Sequence, residues 1–178
     1  MADIIIIEVI TVFKEIKATD IKENPVDLIK NQWGLLTAGN ESGFNTMTVS
    51  WGSIGELWGF DMLTVYVRPQ RYTKEFIDSE EYFTLSFYPK ELKGIHAVCG
   101  SKSGRDVDKA AECSLTPAFT EKAPYFDEAK LVIVCKKVAV GKFESEQFVD
   151  KSIIDSCYPD GDYHIVYYGK IEKVLINE

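Results

Sequence analysis

Arginine and histidine are scarce in this chain of 178 residues. Only Arg68, Arg71 and Arg105 among its 20 basic residues are arginines, and it has two histidines. The net charge is −8, and the basic residues form no long block. Nucleic-acid binding depends on neutralising phosphates with lysine and arginine, so this composition argues against a nucleic-acid partner.

The cysteines are few and are not grouped. Cys99, Cys113, Cys135 and Cys157 include no CxxC pair. We therefore expect no metal site, and we expect reduced thiols of the kind found inside cells. The apolar run Ile4–Ile7 has acidic neighbours and is too short for a signal core or a membrane span. These features predict a strand or ordered arm at that end, a cytoplasmic protein and no membrane partner.

Most sequence signatures of catalysis are also missing. The chain contains no GxGxxG, HExxH or GxSxG motif, so a Rossmann dinucleotide site is not expected. The Gly100–Ser103 segment resembles a fragment of a P-loop but lacks its spacing. A Ser-His-Asp hydrolase remains an alternative because His96 and His164 are present, although nothing in the sequence positions them.

The length and a hydrophobic content of 46% predict one globular domain over residues 1–178. Short apolar runs between turn residues predict six or more strands with a few short helices, and hence a mainly β fold, a β-barrel with helical decoration. The predicted strands are Val9–Ala18, Trp33–Ala38, two within 45–73, Tyr82–Tyr88, Leu131–Val140 and Tyr163–Ile176 with a bend at Gly169. The predicted helices are Val26–Asn31 capped by Asn24, Thr73–Ser79, Glu91–Val98, Asp106–Cys113 and Glu144–Ile154.

The stretch from Asn45 to Thr73 is the most informative one, and it reads as two strands joined by a glycine-rich turn. Hydroxyl-bearing and apolar side chains alternate in residues 46–51, which predicts a strand with one polar face and one core face. The polar set is Thr46, Thr48 and Ser50, and the apolar set is Met47, Val49 and Trp51.

The second strand of this stretch, Leu63–Val67, ends at a basic corner. Pro69 has no N–H and cannot continue a central strand. Arg68 and Arg71 flank this proline beside several hydroxyl groups, and this combination suits a phosphate. The alternative is that both arginines make ordinary surface ion pairs.

Three motifs resemble the flavin reductase-like family with the FMN-binding split-barrel fold, in particular its flavoredoxin-like branch. They are Asn45–Trp51 (NTMTVSW), Val67–Thr73 (VRPQRYT) and Ser103–Lys109 (SGRDVDK). The resemblance extends over most of the chain, from Trp33 to Val174. It implies a split β-barrel with short flanking helices and a homodimer that holds one FMN per subunit near the subunit interface.

The resemblance also implies which residues contact the cofactor. Thr48, Ser50 and Trp51 would line the pocket, the arginine corner would bind the FMN phosphate, and the segment from Cys99 would pass close to the flavin. The implied set is Thr48, Ser50, Trp51, Arg68, Arg71, Tyr72, Thr73, Cys99, Gly100, Ser101, Lys102 and Ser103. His164 is a candidate substrate contact, since the family often has a histidine before its closing strand. Here an extra residue separates it from Asp162.

The implied function is that of an FMN-binding oxidoreductase. It would pass electrons from NAD(P)H or another donor, through flavin, to free flavin, a partner protein or a small acceptor. Hydride passes directly between nicotinamide and flavin, so no protein acid or base is implied. Because no nicotinamide-specific motif is visible, an FMN-binding electron carrier or sensor is the alternative. Simpler roles are also open: Thr48 and Ser50 facing solvent, Thr73 capping a helix, and Trp58 in the core or at a subunit contact.

Overall fold

The computed structural model describes residues 12–177, which form ten strands and five short α-helices. The strands are β1 Phe13–Ile16, β2 Gly34–Asn40, β3 Gly43–Val49, β4 Gly52–Leu57, β5 Phe60–Val67, β6 Tyr82–Phe87, β7 Pro117–Ala118, β8 Tyr125–Phe126, β9 Leu131–Lys142 and β10 Ile165–Asn177. The helices are α1 Pro25–Asp27, α2 Thr73–Ser79, α3 Ile95–Ser101, α4 Lys109–Glu112 and α5 Ser152–Cys157. The predicted N-terminal arm, Ile4–Ile7, lies outside the described residues.

Eight strands form one antiparallel sheet in the order β3-β2-β6-β9-β10-β5-β4, with β1 paired to β10. The long strand β10 contacts β9 along one edge, and along the other it pairs with β5 through 165–170 and with β1 through 174–177. This arrangement confirms the mainly β fold. None of the helices within residues 12–177 has the length and apolar character needed to cross a membrane.

Both faces of the central strands are buried, which explains why the sequence of β9 begins with a continuous apolar run. Leu131 and Ile133 belong to one hydrophobic cluster together with β5 and β10, whereas Val132 and Val134 belong to a second cluster beneath α3 and α4. Successive side chains on a strand point to opposite faces, so a strand between two cores has no polar face.

The predicted bend at Gly169 is confirmed as an irregularity in the pairing. The register between β9 and β10 shifts between Tyr168 and Gly169. A Cβ at Gly169 would lie 2.5 Å from the Phe83 ring and 2.7 Å from the Cys135 Cβ. The core therefore approaches the backbone too closely here for any larger residue.

The predicted turn between the two strands of residues 45–73 was wrong, because Gly52–Leu57 forms the additional strand β4. This strand turns back into β5 through Trp58 and Gly59, whose φ angles of 58° and 76° fit a two-residue hairpin. Trp58 is 60% exposed at this turn, which contradicts its placement in the core, whereas the alternative of a subunit contact stays a prediction. Trp51 is also exposed rather than core, because β3 ends at Val49.

Several helix predictions were close. Asn24 caps α1, accepting hydrogen bonds from the N–H groups of Val26 and Asp27, and α2 spans the predicted residues. Thr73 as a capping residue was wrong, since Tyr72 occupies the cap position and no side chain bonds there. Residues 100 and 101, predicted as loop, are the last residues of α3.

Candidate functional site

The arginine corner after β5 lies against the end of β3 and the C-terminal end of α3. Its position follows from the end of β5 at Val67, after which residues 68–71 form a hydrogen-bonded turn that leads into α2. Arg71 Nη1 donates a 2.8 Å hydrogen bond to the carbonyl oxygen of Gly100. Thr48 Oγ1 donates a 2.8 Å hydrogen bond to the carbonyl oxygen of His96. These two bonds connect the corner and β3 to the same helix.

Three adjoining cavities run along this junction. A polar cavity of about 260 Å³ shares Met47 and Arg71 with a middle cavity of about 210 Å³. The middle cavity shares Ser50, Trp51 and Tyr66 with a third cavity of about 470 Å³. The polar cavity is lined by Met47, Gln70, Arg71, Tyr72, Thr73, Ser101, Lys102, Ser103 and Lys109. The third is mostly apolar, with Val26, Ile29, Ile54 and Phe143 among its lining residues.

The polar cavity has unused hydrogen-bond donors. Arg71 uses one of its five N–H donors on Gly100. Thr73 is 1% exposed, and its hydroxyl accepts a 2.8 Å bond from Asn45 Nδ2, which leaves the hydroxyl proton available. The backbone N–H groups of Tyr72 and Thr73 have no partner among the described residues. The ammonium group of Lys102 is less available to a ligand because it forms an ion pair with Glu112.

Arg68 is engaged differently from Arg71. Its Nη1 donates to Asp162 Oδ1 at 2.5 Å, and its Nη2 donates to the carbonyl oxygen of Cys157 at 2.8 Å. The guanidinium also lies 5.2 Å from the centre of the Tyr158 ring. Arg68 therefore holds the segment between α5 and β10, although it still lines the middle cavity.

His164 lines the middle cavity within a cluster of aromatic rings. Its ring lies 5.0 Å from Trp51 and 6.5 Å from Tyr66, and its Nδ1 is 2.8 Å from the hydroxyl of Tyr158. Burial, together with the positive charge of Arg68, lowers the pKa of His164 to about 4. The imidazole is therefore neutral at physiological pH.

Sequence reasoning assigned no role to Asn45 and Lys109, two buried polar residues beneath the site. Asn45 connects β3 to Thr73, and Gly104 packs so tightly on it that a Cβ there would lie 1.9 Å from Asn45 Oδ1. Lys109 Nζ donates two 2.9 Å bonds, to the carbonyl oxygens of Thr46 and Cys99. Both residues lie in motifs that the sequence singled out, but their partners are separated from them by ten to 63 positions. The pattern alone could not indicate these contacts.

Comparison with known sequences shows which protein family the chain belongs to. The sequence profile of the flavin reductase-like domain matches residues 27–178. The chain belongs to the flavin reductase-like domain family. No curated protein sequence matches it.

Several solved structures share the fold of this chain. Flavoredoxin from Methanosarcina acetivorans is 23% identical, with a TM-score of 0.66 over 83% of this chain and 69% of that one. An FMN-binding protein from Thermus thermophilus is 20% identical, with a TM-score of 0.65 over 82% and 71%. A protein with a split barrel domain from Shewanella frigidimarina is 16% identical, with a TM-score of 0.65 over 86% and 73%. The fold is thus the split barrel.

The flavin reductase-like fold brings most of the predicted cofactor residues together. Those that line the polar or middle cavity are Thr48, Ser50, Trp51, Arg68, Arg71, Tyr72, Thr73, Ser101, Lys102 and Ser103. Cys99 lines neither cavity and is fully buried. Gly100 contributes its carbonyl oxygen to Arg71 rather than a surface to either cavity. The role of each of these residues in binding remains a prediction.

Proposed function

We propose that this flavin reductase-like protein binds FMN and passes electrons through it, from NAD(P)H or another donor to free flavin, a partner protein or a small acceptor. The observation that carries the proposal is the row of three cavities, polar at the arginine corner and apolar beyond Trp51 and Tyr66. FMN also changes from polar to apolar along its length, because a flexible chain joins its charged phosphate to a flat aromatic ring.

The polar end suits a phosphate dianion. Arg71 offers a planar fork with unused N–H donors, and the hydroxyl of Thr73 is buried with its proton available. The backbone N–H groups of residues 72 and 73, which have no partner within residues 12–177, add further donors. Charge-assisted hydrogen bonds of this kind are about twice as strong as neutral ones. We assign the phosphate to this corner, with Arg71 as its principal partner.

The middle and apolar cavities suit the ring. Trp51 and Tyr66 supply aromatic walls, and Ser50 lies between the two cavities. When bound, FMN would supply the hydride and electron chemistry. The protein residues would bind it and exclude water. Neither histidine is charged near neutral pH, because burial lowers the pKa of His96 and of His164 to about 4. Acid–base catalysis by these residues is not part of the proposal.

The phosphate assignment is tested by comparing FMN with riboflavin, which lacks the phosphate, in an Arg71→Ala variant. Loss of a charge-assisted contact should weaken FMN binding by about 10- to 150-fold, corresponding to about 1.5–3 kcal/mol, and should change riboflavin binding little. Arg105→Ala is the matched control, because Arg105 pairs with Glu75 on the surface and lines neither the polar nor the middle cavity. Unchanged FMN binding in Arg71→Ala, or equal losses for the two ligands, would contradict the assignment.

Electron transfer is tested on the FMN-loaded protein without oxygen. NADH or NADPH should bleach the visible absorption of the bound flavin, because hydride transfer to the oxidised ring removes that absorption. If neither nicotinamide reduces the flavin while dithionite does, the protein is a carrier or sensor rather than a nicotinamide-dependent reductase. A protein that gains no visible absorption from FMN would contradict the proposal itself.

A further inference from the structure

The hydrogen-bond partner of His164 is Tyr158 rather than Asp162, the nearest acid before it in the sequence. Asp162 lies two positions before it, but both carboxylate oxygens are engaged elsewhere. Oδ1 accepts from Arg68 at 2.5 Å, and Oδ2 accepts from Gln70 Nε2 at 2.8 Å. Instead, Nδ1 of His164 lies 2.8 Å from the hydroxyl of Tyr158, at the end of α5.

The buried position of Tyr158 determines the direction of this hydrogen bond. Tyr158 is 4% exposed, and within residues 12–177 its hydroxyl has no partner except His164. If Nδ1 carried the proton, the phenol would accept it, and the phenol's own proton would be buried without an acceptor. The phenol therefore donates to Nδ1, and the single proton of the neutral ring is on Nε2.

The other ring nitrogen, Nε2, has no hydrogen-bond partner within residues 12–177, and unlike Nδ1 of His96 it is not fully enclosed. Because His164 lines the middle cavity, this cavity is where Nε2 can find a partner. Arg68 and Arg71 line the same cavity and already supply its positive charge. The Nε2–H of a neutral His164 would add a directed hydrogen-bond donor to the middle cavity without adding a third positive charge.

We propose that Tyr158 is a positioning residue, which fixes His164 as a neutral donor whose Nε2–H points into the cavity and binds an uncharged carbonyl-type oxygen. The inference that this oxygen belongs to a flavin or to its redox partner rests on the proposed function. The direction of the Tyr158–His164 bond does not. The aromatic rings around the pair, Trp51, Phe148 and Tyr163, pack against it and keep both side chains in place.

The tautomer can be measured on the protein without flavin. Long-range proton–nitrogen spectra of ¹⁵N-labelled protein distinguish the two neutral forms, and the chain has only two histidines to assign. We expect the Nε2–H form for His164 in the wild type and a mixture of both forms in Tyr158→Phe. Tyr163→Phe is the control, because the Tyr163 ring packs 5.1 Å from the Tyr158 ring and, within residues 12–177, the hydroxyl of Tyr163 makes no hydrogen bond to His164. An Nδ1–H form in the wild type, or an unchanged spectrum in Tyr158→Phe, would overturn the proposal.

The donor role is tested with two substitutions of His164 in the FMN-loaded protein. The amide of His164→Gln can occupy the place of Nε2, whereas His164→Asn is too short to reach it. We expect His164→Gln to stay within about twofold of the wild type and His164→Asn to bind about tenfold more weakly, a change equal to roughly 1.4 kcal/mol. The loss should appear in the FMN Kd if the oxygen belongs to the flavin, and in the nicotinamide KM if it belongs to the substrate. Equal effects of the two variants would refute the donor role. A wild type that binds no FMN would instead refute the proposed function and leave the tautomer result standing.

Discussion

Acid should destabilise this protein through its two histidines before it affects the carboxylates. Burial is the main cause that lowers the pKa of His96 and of His164 from 6.5 to about 4. Both rings are neutral in the folded state and must bind a proton when the chain unfolds in weak acid. Below about pH 6.5 the unfolded state therefore binds more protons, and the free energy of unfolding falls as the pH falls toward 4.

The size of the loss follows from the same pKa shifts. One pKa unit corresponds to about 1.4 kcal/mol, so at about pH 5 each histidine lowers the free energy of unfolding by about 2 kcal/mol relative to its value above pH 7. The carboxylates that hydrogen bonds hold at lowered pKa, such as Asp162 and Asp27, keep their contribution until the pH falls through about 3.8. Asp127 acts in the opposite direction, because burial raises its pKa.

Urea unfolding at about pH 7.5 and about pH 5 measures this effect. The wild type should lose about 4 kcal/mol between the two conditions, and His96→Gln and His164→Gln should each lose about half as much. The comparison uses the difference between the two pH values for each variant, so a destabilisation that is independent of pH cancels. A wild type whose stability is equal at both pH values, or variants with the same pH difference as the wild type, would refute the reasoning.

Two further predictions concern the packing beneath the site. In an FMN titration, Gly104→Ala should lower the affinity about tenfold, because the new Cβ displaces Asn45 from Thr73. Gly55→Ala is the control and should leave the FMN affinity unchanged, because its Cβ would meet nothing within 4 Å. Iodoacetamide at neutral pH should leave Cys99 unmodified while the partly exposed Cys157 reacts, since burial raises the pKa of Cys99 to about 12. Mass spectrometry showing equal rates for the two would contradict this.

The sequence was informative where the local pattern and the tertiary structure agree. A buried strand requires the apolar run of β9, and the proline after β5 prevents that strand from continuing. The start of β9 and the end of β5 were therefore predicted at their observed positions. Strand β4 was missed because it is an edge strand with a weak apolar pattern and two glycines, Gly52 and Gly55. Its backbone bonds come from β5, and a pattern within β4 could not indicate them.

The sequence named most of the residues that line the polar and middle cavities, but not the contacts between them. The resemblance to the family implied that the arginine corner and the segment from Cys99 both lie at the cofactor. The partner of His164 was not predictable in the same way, because the nearest acid in the sequence, Asp162, is engaged by Arg68 and Gln70. Which side chain reaches a ring nitrogen depends on the path of residues 157–164, and that path depends on tertiary packing.

The contacts of the three arginines explain why arginine rather than lysine occupies these positions. Each arginine joins two distant segments: Arg68 reaches Asp162, Arg71 reaches Gly100, and Arg105 reaches Glu75. A planar guanidinium can bond two acceptors in fixed directions, whereas the ammonium of lysine behaves as a point charge. Arg68 uses its fork fully, on Asp162 and on the carbonyl oxygen of Cys157, and so fixes the segment that carries Tyr158. Arg71 uses only part of its fork, and this difference makes Arg71 rather than Arg68 available to an anion.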